Sequence, residues 1–200
     1  MGRSFYFAIL LVHLGLYISF VLRPGPFWTS FTILFILLIV YAALFERIDW
    51  KLPNRRQVAL SILSGIGLYF LFFLGKYLAL YFIPSLLVGL ENFYIYAKPS
   101  KLWHYFSLFF VVIIGEELFW RGFILQRLLK TGLSPKNAIV FAALFYTSAN
   151  LYAGSILLLL ATFTAGIVWS LLYYKTNNIW TVFLSHIVFD GLLLMIFPLL

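Results

Sequence analysis

Cysteine is missing altogether from the sequence. Disulfides, thiolate nucleophiles and Cys-ligated metals are excluded with it. Acidic side chains are almost as scarce, with six Asp and Glu in 200 residues, and charged residues of all types make up only 10%. A soluble domain carries roughly 25% charged residues, so this chain has too little polar surface to face water. What fills the space is apolar: 64% of residues are hydrophobic and 21% are aromatic. Trp and Tyr favour the headgroup level of a bilayer, and the composition is that of a membrane protein. The formal charge of +8 does not point to nucleic acid. The basic residues stand singly at the ends of apolar runs, as topology signals do, and form no stripe.

A spanning helix needs about 20 mostly apolar residues. The first candidate, Phe5–Leu22, exceeds the ~7–15-residue apolar region of a cleaved signal peptide and is followed by no small-residue cleavage site. It is closed by Arg23-Pro24-Gly25-Pro26, which cannot continue a helix. Further spans are expected over 27–45, 58–83, 101–129, 137–152, 155–174 and 179–199. The stretch 137–152 is short for a full crossing. Residues 85–100 are mixed in character and read as a surface or interfacial segment. The expected fold is therefore all-α, a polytopic transmembrane helical bundle of about seven spans (six to eight) in one integral membrane domain, 1–200. No internal repeat or low-complexity tract interrupts it.

Arg47, Lys51, Arg55 and Arg56 crowd one polar loop, and the positive-inside rule assigns that loop to the cytoplasm. Threading from it leaves Arg3, Arg127, Lys130, Lys136 and Lys175 inside and Arg23, Lys98 and Lys101 outside. The N-terminus is then expected in the cytoplasm.

Two of the few acidic residues are adjacent inside an apolar helix, Glu116 and Glu117, with Arg121 one turn later. At 1.5 Å per residue the pair lies ~15 Å from the following basic loop, near mid-bilayer. A charge buried there costs at least ~2.5 kcal/mol, and intramembrane ionisable groups are functional candidates by default. Arg121 shares a face with Glu117 in the favourable acid-before-base order. Glu116 points ~100° away with no cation at helical spacing, free for general acid–base work. A plain helix-packing ion pair, joined by Glu116, is the bland alternative.

The last helix carries His186 and Asp190, four apart on one face; such a carboxylate can orient an imidazole and fix its tautomer. A satisfied buried histidine is the competing account. A third polar patch, Tyr146-Thr147-Ser148-Ala149-Asn150, ends in an amide able to hold a water or a developing oxyanion, or simply to bond between helices. His13 and His104 have no acidic neighbour at helical spacing and read as packing or interfacial residues.

In this order the three patches resemble the CPBP family of intramembrane proteases, the CAAX prenyl proteases and bacteriocin-processing enzymes also called the Abi family. Its first motif, Glu-Glu-x-x-x-Arg, is met by Glu116, Glu117 and Arg121, and Gly122–Leu128 is similar to the usual continuation. Its third, His-x-x-x-Asn, is matched by His186 and Asp190, with Asp for Asn. Its second, Phe-x-x-x-His, is matched by Tyr146 and Asn150, with Asn where His is expected. The resemblance covers about 100–198 and implies an intramembrane endopeptidase of the glutamate type. By that resemblance Glu116 is the base, Glu117 with Arg121 its support, Asn150 stands for the absent histidine, and His186 and Asp190 support the oxyanion.

The implied substrates are membrane-associated proteins or peptides cut near C-terminal or membrane-anchored segments. The implied setting is a prokaryotic inner membrane, and a protein-sorting branch of the family is one fit. No cofactor is expected. Zinc prefers three or four His, Cys or carboxylate ligands, and Glu117 is engaged by Arg121. Two other classes remain. One is an inactive family member acting as a bacteriocin-immunity or scaffold protein, which the Asn150 replacement favours. The other is a proton-coupled transporter, which would call for an internal repeat with paired broken helices.

Overall fold

The computed structural model describes residues 2–199. Among them the fold is all-helical, with eight helices and no strand. They are α1 (Arg3–Leu22), α2 (Phe27–Phe45), α3 (Arg55–Phe82), α4 (Ser85–Ala97), α5 (102–129), α6 (Pro135–Ala149), α7 (Ile156–Thr176) and α8 (Ile179–Ile196).

Local chemistry sets the boundaries. Arg23 adopts a left-handed φ of 44° ahead of Pro24 and Pro26, ending α1. Asn54 and Gln57 cap α3 reciprocally, each side chain accepting the other residue's backbone N–H at 2.9 and 3.0 Å, a capping box. Ser134 caps α6 ahead of Pro135 at the first helical position, where proline is at home. At its far end α6 stops at Asn150, and a short 3-10 turn leads to Gly154 at φ 71°.

Five helices are long and apolar enough to cross a membrane: α1, α2, α3, α7 and α8. Helix α5, interrupted by its charged triad, is roughly 40 Å long at 1.5 Å per residue, more than the ~30 Å hydrocarbon core. Helix α6 has 15 residues and reaches only ~22 Å, so it sits among its neighbours as a short span. Most of the mixed 85–100 segment forms the helix α4. Tyr96 at its end takes the Arg23 guanidinium over its ring at 4.4 Å, and its Gly89 packs on the backbone of Gly154 and Ser155. Helix α4 thus lies at the end of the bundle where the 23–26 and 150–155 turns are.

The opposite end gathers the basic loops. Glu46 pairs with Arg127 at 3.1 Å and with Lys130. Asn178 donates to the Lys51 carbonyl at 2.9 Å, and Tyr41 donates to that of Ser4 at 2.6 Å. The N-terminal turn, the 46–54 loop and the 130–134 and 177–178 turns therefore share one face, as the charge pattern required.

Bare backbone at glycine lets the helices meet closely, as small residues do in membrane bundles. A Cβ on Gly115, next to Glu116, would sit 2.9 Å from the Phe35 ring of α2, and one on Gly65 of α3 would sit 2.5 Å from the Ser185 carbonyl oxygen of α8. Gly67, two residues on and on nearly the opposite side of the helix, faces open space. Gly65→Val should therefore lower stability in detergent by about 1–3 kcal/mol through overpacking, while Gly67→Val changes it little. Thermal unfolding of the two variants side by side measures the difference.

Candidate active site

Four helices supply the polar interior. Helix α5 brings Glu116, Glu117 and Arg121; α8 brings His186 and Asp190; α6 brings Tyr146 and Asn150; α7 brings Trp169. A π-wound stretch, Leu118–Leu125, follows the glutamates on α5 and holds Arg121. Such turns recur at functional sites.

The two adjacent carboxyls have different surroundings. Glu117 is fully buried at 0% exposure, and its Oε1 accepts from Arg121 Nη1 at 3.1 Å and lies 2.7 Å from His186 Nδ1. The Arg121 guanidinium faces the rings of Tyr146 and Trp169 at 5.1 and 5.3 Å, contacts that help hold a desolvated cation. Glu116 keeps 13% of its side chain exposed. Its Oε2 accepts from the Tyr146 hydroxyl at 3.1 Å and lies 3.9 Å from His186 Nε2. The His186 ring stacks on Trp169 at 3.9 Å, and Trp169 is pinned by donating from Nε1 to Ser185 Oγ at 3.1 Å.

The arrangement corrects one detail of the sequence reading. Asp190 was expected to orient the His186 ring from one turn away. Its Oδ2 lies 3.5 Å from Nε2, whereas Glu117 holds Nδ1 at 2.7 Å. The shorter, charge-assisted contact fixes the ring, and it comes from another helix because α8 packs with Nδ1 turned towards α5. Asp190 shares the cavity-facing nitrogen with Glu116.

A cavity of about 490 Å³ runs between the helices, and Glu116, Tyr146, Asn150, His186 and Asp190 all line it. That is within the usual range for ligand sites. Its other walls are largely apolar and reach α4. Glu117 and Arg121 stand behind this wall. Asn150 lies on it, but its amide donates one of its two N–H groups to the Tyr146 carbonyl at 3.0 Å, within its own helix. The six residues singled out from sequence thus gather in one cluster, from as far apart in the chain as Glu116 and Asp190, with the Asn150 amide turned aside.

Two neighbours join the site residues read from sequence. Tyr146 stands in the sequence as the aromatic position of the second motif, one turn before Asn150, with no catalytic role attached. Trp169 carries no such signal, being one more indole in an apolar helix. His13 bonds Tyr152 and Ser148 at 3.1 and 3.3 Å, while His104 stacks on Trp28 and accepts from the backbone of Ser100 and Lys101. Both serve packing. The carboxylates and imidazole are aimed at one another and at Arg121, and among the described residues no three His, Asp or Glu side chains are grouped to hold a metal ion.

Residues 98–192 match the family model for type II CAAX prenyl endopeptidase Rce1-like proteins. That segment is Rce1-like. It contains α5 to most of α8, and with them every residue of the cluster. The match is to a family of CAAX-type proteases, and it falls on a chain with five helices, among the described residues, long and apolar enough to cross a membrane. No curated protein and no solved structure matches the chain.

In the Rce1-like core the buried ion pair is the most exposed to test. Arg121→Ala leaves Glu117 desolvated with a single partner and should cost about 3–5 kcal/mol of stability. Glu117→Gln combined with Arg121→Met removes both charges and should recover most of that loss. Chemical or thermal unfolding in detergent reads both.

Proposed function

We propose that the protein is a glutamate-type intramembrane endopeptidase in which Glu116 activates the attacking water. The observation that carries this reading is the division between the two carboxyls: Glu116 on the cavity wall within 3.9 Å of His186 Nε2, and Glu117 buried behind it and tied to Arg121. In the proposed reaction Glu116 takes a proton from a cavity water as the hydroxide oxygen adds to the scissile carbonyl carbon. The resulting oxyanion lies against His186, which as an imidazolium donates from Nε2 while Glu117 holds Nδ1 and Asp190 balances its charge. Glu116 then passes its proton to the amide nitrogen as the C–N bond breaks, releasing an amine and a carboxylic acid, which loses its proton to water on leaving the site.

Substrates in this reading are membrane-associated proteins or peptides, cut at or within the bilayer near C-terminal or membrane-anchored segments. The apolar cavity walls suit such chains. In this reading the site works without a metal: Glu117 is committed to Arg121 and His186, and Asp190 to His186. The setting is a prokaryotic inner membrane with the basic end of the bundle in the cytoplasm. One observation favours a second reading, an inactive relative with an immunity or scaffold role: Asn150 stands where the resemblance calls for His, with its amide turned into the helix.

Co-expression or liposome assays with peptides bearing apolar C-terminal segments decide between these. Wild type should cleave, Glu116→Gln should lose about 10²–10⁴-fold in kcat, and chelator should leave the rate unchanged. Equal processing by wild type and Glu116→Gln would sink the protease reading. Orientation has its own test, simplified by a cysteine-free chain. Asp49→Cys should react with an impermeant maleimide only from the cytoplasmic side, and Ser100→Cys only from the other.

A further inference from the structure

Tyr146 lines the cavity wall, touches Glu116 directly and has no part in the mechanism above. Its hydroxyl donates to Glu116 Oε2 at 3.1 Å. The ring has little freedom. It is 6% exposed, with the Arg121 guanidinium 5.1 Å from its centroid and the Trp120 ring 5.3 Å away. On the third side α7 closes in at Gly166, where an added Cβ would come within 3.3 Å of Tyr146 Cδ1 and 3.0 Å of Ala143 Cβ. A ring clamped on three sides aims its hydroxyl at one place. One turn further along α6, Asn150 turns its amide to the Tyr146 carbonyl, away from Glu116.

We propose that Tyr146 is the positioning residue for Glu116, supplying from one turn earlier on α6 the hydrogen bond that Asn150 does not make. This rests on Glu116 being the base. A hydroxyl fixed on Oε2 leaves Oε1 to face cavity water. When the water proton moves to Oε1, Oε2 remains the acceptor of the Tyr146 O–H, so the new carboxylic acid keeps its proton aimed into the cavity, towards the departing amine. No proton leaves Tyr146 in the cycle.

Tyr146→Phe preserves the clamped ring and removes only the hydroxyl. Its kcat should fall about 10–100-fold, the scale of a misplaced reacting group, with KM and the unfolding temperature close to wild type. Adding Asn150→His to Tyr146→Phe should restore part of kcat by giving Glu116 another donor on the same face. Wild-type kcat in Tyr146→Phe, a loss confined to KM, or no recovery in the double variant would each overturn the role. Glu116→Gln run in parallel separates the two levels. If it is inactive while Tyr146→Phe is not, only this inference fails. If it cleaves like wild type, the protease reading fails and takes this one with it.

Discussion

A carboxylate with no solvent exposure inside an apolar bundle must be neutralised by its neighbours, and Glu117 has two. Arg121 reaches it from one turn along α5, and His186 reaches it from α8 at 2.7 Å. The second contact ties helices far apart in sequence, and it also fixes which imidazole nitrogen faces the cavity. Removing one partner of such a group leaves an uncompensated charge, so the positions of α5 and α8 are coupled through a single oxygen. The remaining site geometry follows from that coupling. His186 Nε2 is delivered between Glu116 and Asp190, and Trp169 stacks on the ring face that the arrangement leaves available.

Glycine makes the coupling sterically attainable. Gly115 lets α5 press on Phe35 immediately before the glutamate pair, Gly65 lets α3 press on the turn of α8 that carries Ser185 and His186, and Gly166 lets α7 press on α6 beside Tyr146. In lipid there is little hydrophobic drive for helix to approach helix, so close backbone contact and buried polar bonds do the specifying. The charged cluster and the glycine contacts occur at the same levels of the bundle. The cavity forms where the helices part beyond them, with one polar wall and apolar remainder, and α4 lies along the end to which it extends.

The division of labour between adjacent glutamates illustrates what a helix can do with two identical side chains. A step of one residue turns the second carboxyl away from the first. One is drawn into the protein and held as a structural anion, and the other stays on the cavity wall with one hydroxyl and one imidazole in reach. The apolar helical frame is common to the whole core, but this separation is a property of two neighbouring positions.

Much of this was legible in the sequence. Low charge and long apolar runs dictate a helical membrane bundle because lipid leaves backbone groups no partner outside the segment. Prolines at 24 and 26 mark where the first helix stops, and the basic residues sort the loops into two ends; the caps at Asn54 and Ser134, a few residues before the expected starts at 58 and 137, came from the structure. Glu116, Glu117, Arg121, His186 and Asp190 stood out because ionisable groups in apolar runs are rare. Within one helix, spacing settled the Glu117–Arg121 pair. Between helices it could not. That Glu117 and not Asp190 holds Nδ1 of His186, that Tyr146 reaches Glu116, that Asn150 turns back on its own helix and that Trp169 backs the imidazole all depend on how α5, α6, α7 and α8 rotate against one another. Periodicity fixes a residue's angle on its own helix, and only packing fixes the angle between helices.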